Sequence, residues 1–179
     1  MCPQPPRDFQ YIPNPERPWV ENATISSTEC LNLHISVPTP PAKAAGTPSY
    51  PVMVFVHGGA FVYGAGSAAI YDGKKLAQIS QELSIPTIIV TISYRVGVYG
   101  FLASKEIKEY NKQFGEGGVG NYGIWDQIEA LRWLQEHIQA FGGDPSRVTF
   151  FGQSAGGGQC LILLLSLHCL RSLIYSRKV

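Results

Sequence analysis

Ser154 lies between two glycines in Gly152-Gln153-Ser154-Ala155-Gly156. A serine so placed can attack a carbonyl carbon once a base takes its proton. The G-x-S-x-G form alone recurs in many proteins, and a glycine-rich turn with an incidental serine is the alternative. The setting narrows the reading. Val148-Thr149-Phe150-Phe151 reads as a buried strand before it, and an apolar, helix-like segment follows. That is the strand-turn-helix context of a nucleophile elbow. There the serine adopts a strained backbone, and the residues two before and two after are forced together. Gly152 and Gly156 carry no side chain to obstruct this. The Ala155 N–H, at the helix start, then points to where an oxyanion would form, and the helix dipole adds to it.

His57-Gly58-Gly59-Ala60-Phe61 follows an earlier apolar run. Small residues let backbone N–H groups approach a ligand, and an oxyanion hole needs two or three such donors about 3 Å from the developing charge. A plain tight turn is the alternative for this loop taken alone. A loop at the carboxyl end of a strand is the expected place for such donors.

The elements that must hold these residues are legible as a pattern. Leu31, Leu33, Ile35 and Val37 alternate with polar residues, which predicts a strand with one wet face. Pro38 to Pro51 reads as a loop, since prolines crowd its first half. Val52–Val56, Thr87–Ile92 and Val148–Phe151 are apolar on both faces, as strands of a covered parallel sheet are. Leu76, Ile79 and Leu83 share a face of a short helix. Ile124, Ile128, Leu131, Leu134 and Ile138 follow the spacing of a longer one. On that helix Asp126, Gln127, Glu129, Arg132, Gln135, Glu136 and Gln139 are expected on the wet side. Gly142-Gly143 and then Asp144-Pro145 should end it. Strands alternating with amphipathic helices predict an α/β fold.

Composition excludes several functions. The chain has 179 residues, 45% hydrophobic and 15% charged, which suits a packed domain. A net charge of +1 gives no electrostatic case for nucleic acid or an anionic membrane. Gly115 to Gly120 is glycine-rich but lacks the lysine of a phosphate-binding loop. No C-x-x-C pair exists among Cys2, Cys30, Cys160 and Cys169, so zinc is unsupported; no metal or other cofactor is expected. Cys2 and Cys30 could close a loop, or all four could be free thiols. The apolar run Cys160–Leu170 is shorter than the ~20 residues a bilayer span needs, so no transmembrane segment is expected. No secretory signal is recognisable at Met1, and Asn22-Ala23-Thr24 is a glycosylation sequon, a weak sign of export.

These stretches together resemble the type B carboxylesterase/lipase family, the cholinesterase-like branch of the α/β-hydrolases. Those that carry the likeness are Glu29-Cys30-Leu31-Asn32-Leu33, the loop at 57–61, Ser93-Tyr94-Arg95-Val96-Gly97-Val98-Tyr99-Gly100-Phe101-Leu102, and Gly120-Asn121-Tyr122-Gly123 with Asp126-Gln127. Ala130-Leu131-Arg132-Trp133 and Phe141-Gly142-Gly143-Asp144-Pro145 running into the serine motif complete it. The resemblance implies that residues 1–179 form a single partial α/β-hydrolase domain with a mostly parallel central sheet flanked by helices. Its C-terminal part is absent, and residues 160–179 form a divergent tail. It implies Ser154 as nucleophile, with Gly59, Ala60 and Ala155 as oxyanion-hole donors. Ala60 departs from the family's usual third glycine, which narrows the acyl pocket. The resemblance further implies a disulfide between Cys2 and Cys30, and a small-molecule carboxylic ester as substrate.

In that fold the chain order is serine, acid, histidine. After Ser154 there is no aspartate or glutamate, and the sole histidine is His168. It would lie far along the helix that begins at the nucleophile, at 1.5 Å per residue, out of reach of Ser154. His34 is expected on a polar strand face, His57 in the donor loop and His137 on a helix flank. The expectation is therefore a serine esterase segment whose acid and base come from elsewhere, with little turnover alone. A non-catalytic, cholinesterase-like interaction protein is the alternative, although such proteins typically lack the nucleophile.

Overall fold

The computed structural model describes residues 1–4, 25–39 and 49–175, with side chains described as far as Leu165. The sequon at Asn22 and most of the 38–51 loop lie outside the described residues. Four strands form one sheet: β1 (Leu33–Ser36), β2 (Tyr50–Val56), β3 (Ile88–Ile92) and β4 (Gly143–Gly152), in the order β1-β3-β2-β4. β2 runs parallel to both β3 and β4, with Val54 opposite Val90 on one side and Phe150 on the other. β1 closes one edge antiparallel to β3, pairing Leu33 with Ile92. The sheet is therefore mixed, with its parallel part at the centre.

Among the described residues there are five α-helices: α1 (Lys74–Glu82), α2 (Gly97–Phe101), α3 (Lys105–Lys112), α4 (Tyr122–His137) and α5 (Ala155–Tyr175). One core joins Val52, Val54, Val56, Ile88, Val90 and Ile92 to Tyr94, Val96, Leu134 and Ile138, with Cys160 packed against it. Each fully buried aliphatic side chain contributes roughly 1.5–3 kcal/mol. The opposite sheet face meets the loop before α1. There the Thr91 hydroxyl donates to Gly66 O at 2.9 Å, and a Cβ at Gly73 would strike Ile89. A disulfide ties Cys2 to Cys30 just ahead of β1.

The structure corrects several expectations. Tyr50 and Pro51 belong to β2 and not to the preceding loop. β4 begins at Gly143, so Asp144-Pro145 lie in the strand; the helical stretch ends one step earlier, in a 3-10 turn (Ile138–Phe141) and at Gly142 with φ 79°. Leu76, Ile79 and Leu83 are exposed, while Ala77 and Ser80 are the buried residues of α1. The cause is close approach: the Ser80 hydroxyl donates to Ala77 O and accepts from Thr87 N, binding α1 tightly to the entry of β3. On α4, Asp126 and Gln127 face inward. Asp126 accepts from Arg95 N, Nε and Nη2, and Gln127 Nε2 donates to Gly123 O. Polar residues there are buried because each meets a partner. α3 was not predicted; Ser104 caps it by accepting from Ile107 N.

Candidate active site

The turn between β4 and α5 has the strain the glycine pattern implies. Ser154 sits at φ 54°, left-handed for a residue with a Cβ. A Cβ at Gly152 would come 2.5 Å from Gly156 C, and one at Gly156 would come 2.2 Å from Val56 O. No side chain fits at either place. Gly158 N donates to Ser154 O and opens the helix. Among the described residues, the Ala155 N–H makes no backbone hydrogen bond, as the first turn of a helix dictates. Ser154 itself is exposed.

The loop after β2 presses against this turn. A Cβ at Gly58 would lie 3.1 Å from Ser154 Cβ and 2.5 Å from Gln153 Oε1. Gly59, Ala60 and Phe61 follow at φ 117°, 54° and 64°. Gly59 O accepts from both Val62 N and Tyr63 N, which closes a left-handed turn. As at the start of any helical turn, the leading N–H groups are left without backbone partners. Neither the Gly59 nor the Ala60 N–H makes a backbone hydrogen bond among the described residues. The left-handed state costs about 1–2 kcal/mol for a residue with a Cβ, so Ala60 and Phe61 hold stored strain. Phe61 was not singled out from the sequence; its backbone state is invisible there. Its ring meets Phe101 edge-on at 5.5 Å, and its carbonyl accepts from Gly97 N.

The root of the loop is polar and buried. The His57 ring stacks on Tyr94 with centroids 4.2 Å apart, and its Nδ1 lies 2.7 Å from Gly58 O. The Tyr94 hydroxyl donates to His57 O at 2.8 Å and accepts from Gln159 Nε2 at 2.9 Å. Burial pushes the Tyr94 phenol up to about 12, against the opposing effect of the Gln159 hydrogen bond. Burial likewise raises the Cys160 thiol. His34 and His137 are exposed, the latter beside Trp133. The side chain of His168 is outside the described residues. Among the described residues no group of three or more acidic, histidine or cysteine side chains could hold a metal ion, and no helix is long and apolar enough to cross a membrane.

The structure thus brings Ser154, Gly58 and the start of α5 together at the carboxyl ends of β2 and β4; Gly59 and Ala60 follow in the same loop, with Gly59 packed on Tyr63. It places no histidine or carboxylate within described contact of Ser154. A cleft of about 280 Å³ lies elsewhere, lined by His34, Ser36, Asp72 and Lys74 among others, and shares no residue with this site.

A sequence profile described as "Carboxylesterase family" matches residues 1–176. The chain is 41% identical over 164 residues to para-nitrobenzyl esterase of Bacillus subtilis (strain 168), covering 92% of this chain and 29% of that protein. It is 42% identical over 141 residues to fumonisin B1 esterase of Sphingopyxis macrogoltabida, covering 79% and 24%. It is 38% identical over 158 residues to neuroligin-2 of Mus musculus, covering 79% and 17%. Among solved structures, a thermophilic pNB esterase superposes with a TM-score of 0.72 at 39% identity, over 92% of this chain and 29% of that one. A further pNB esterase gives 0.66 at 41%, over 82% and 28%. The chain therefore spans less than a third of the length of each of these relatives.

Proposed function

Because this chain belongs to the carboxylesterase family, we propose that it supplies the nucleophile and oxyanion hole of a serine carboxylic-ester hydrolase. Ser154 Oγ attacks the ester carbonyl and forms a tetrahedral intermediate. The intermediate collapses to an acyl-enzyme as the alcohol leaves with a proton, and water then releases the acid. The N–H groups of Gly59, Ala60 and Ala155 donate to the oxyanion. Such donors are worth about 10²–10³ in turnover each.

The single observation that carries the reading is the abutment of the strained Ser154 turn and the left-handed Gly59–Phe61 turn. Gly58, which leads into the left-handed turn, lies against Gln153 and Ser154, and among the described residues each turn leaves N–H groups without backbone partners. No acid follows Ser154 in the 179 residues. These residues are therefore assigned the nucleophile and the donors of the site and not its acid, in a chain that covers 29% of para-nitrobenzyl esterase. Turnover by the 179-residue chain alone is expected to be negligible.

The test is hydrolysis of p-nitrophenyl butyrate by a complete polypeptide carrying these residues. Ser154→Ala abolishes the acyl burst if the reading holds; a burst that survives it refutes the assignment. The 38% identity to neuroligin-2 favours a second reading, a non-catalytic interaction protein. The intact serine and its glycines rank this below hydrolysis, and the same assay separates the two.

A further inference from the structure

The buried chain of contacts beneath the donor loop joins three elements. His57 ends the run from β2, Tyr94 follows β3, and Gln159 lies on α5, five positions beyond Ser154. His57 and Gln159 are fully buried and Tyr94 is 1% exposed. A phenol has one hydrogen to donate. Gln159 Nε2 donates to the Tyr94 oxygen, so the phenol hydrogen is left to His57 O. The direction of the whole chain follows from the amide at its head.

We propose that Tyr94 and Gln159 are positioning residues of the oxyanion hole. The Tyr94 hydroxyl, held by Gln159 from the nucleophile's own helix, clamps the His57 carbonyl and so sets the Gly59 and Ala60 amides relative to Ser154. This rests on the reading of Ser154 and its donors given above. The His57 peptide has no slack. A Cβ at Gly156 would fall 2.8 Å from His57 O, and one at Gly64 would fall 2.2 Å from His57 Nδ1. Only one residue, Gly58, separates His57 from Gly59. A shift of the carbonyl is therefore passed to the donors rather than absorbed.

One detail argues against a purely structural role. Among the described residues, Gln159 Oε1 is buried with no hydrogen-bond partner. An unsatisfied buried acceptor costs stability, and an apolar side chain of similar size would avoid that cost. What Gln159 has that a methionine lacks is the donor that orients Tyr94.

The test compares the unmodified 179-residue chain with Tyr94→Phe, which keeps the ring stack, and Gln159→Met, which keeps the volume. Backbone amide resonances of Gly59 and Ala60 are read by NMR. Gly117 and Gly118, which have open space around them, serve as internal references. Both variants are expected to move the Gly59 and Ala60 amides and leave the references in place. Amides at 59 and 60 that stay put while those around Tyr94 shift would show a merely structural role.

In a complete polypeptide carrying these residues, Tyr94→Phe is expected to lower kcat roughly tenfold with KM within about twofold. An unchanged kcat overturns the proposal. If Ser154→Ala keeps its activity while the amides at 59 and 60 still move, the site reading fails and the clamp stands.

Discussion

Gly58 and Ser154 are in direct contact: the space a Cβ would need at position 58 begins 3.1 Å from the Ser154 Cβ, and Gln153 Oε1 and O close it further at 2.5 and 2.7 Å. The loop after β2 and the Ser154 turn thus share one wall. Gly58→Ala must push them apart. It is expected to cost about 1–3 kcal/mol in stability, as overpacking does, and, in a complete polypeptide carrying these residues, roughly 100-fold in kcat/KM through misplacement of about 1 Å. Urea denaturation and p-nitrophenyl ester kinetics measure the two separately.

The strain at Ser154 predicts which substitution the turn tolerates better. Glycine is already preferred to alanine at the residue that precedes a helix, and α5 begins at Ala155. At φ 54° the left-handed penalty of about 1–2 kcal/mol outweighs the entropic cost of glycine, about 0.4–1 kcal/mol. Ser154→Gly is therefore expected to be more stable than Ser154→Ala by about 0.5–1 kcal/mol, with both inactive. Equal midpoints in urea would mean that the turn relaxes.

Asp126 accepts three hydrogen bonds from Arg95, one of them from the backbone, with 4% of its side chain exposed. The hydrogen bonds to Asp126 raise the Arg95 guanidinium further above its usual range, against burial. Asp126→Leu leaves a half-buried cation without its counter-charge. A loss of about 3–5 kcal/mol is expected, the cost of breaking such a pair from one side. A urea midpoint close to that of the unmodified chain would contradict it.

Tyr94 gives the fold an alkaline limit. Its phenol is pushed up to about 12 in the folded chain, against about 10 unfolded. Below pH 10 both states keep the proton. Between pH 10 and 12 the unfolded state loses it first and binds fewer protons, so stability falls as pH rises. The drop is about 2–3 kcal/mol across that window. In Tyr94→Phe the slope between pH 10 and 12 should flatten, as followed by urea midpoints at each pH.

The disulfide between Cys2 and Cys30 closes a separation of 28 residues. Chain-entropy arguments give it about 3.6 kcal/mol. Reduction, or Cys2→Ser, should lower the urea midpoint accordingly. Thiol titration of the denatured, unreduced chain should find at most two of the four cysteines.

What the sequence disclosed and what it withheld divide by range. The elbow was legible because its steric demand falls between Gly152 and Gly156, five residues of one turn. β3 was legible because burial on both faces writes a continuous apolar run; in β4 the same kind of run stands at the edge of the described sheet, where Val148, Phe150 and Phe151 are half-buried and Thr149 is exposed. The inward turn of Asp126 was not, because its reason is Arg95, 31 positions away. The outward turn of Leu76 and Leu83 was hidden for a similar cause: Ser80 is drawn in by Thr87, across a loop. The left-handed state of Phe61 leaves no mark on residue type. The contacts among His57, Tyr94 and Gln159 need three elements in place before they exist.

The strand order also sets a timetable for synthesis. β2 lies between β3 and β4, and Val54 meets Val90 first and Phe150 about sixty residues later. At 5–20 residues per second the ribosome takes about 3–12 s to deliver that second neighbour. Throughout that interval the nascent chain presents a bare apolar ribbon, open to any chaperone or stray strand that arrives before β4 does.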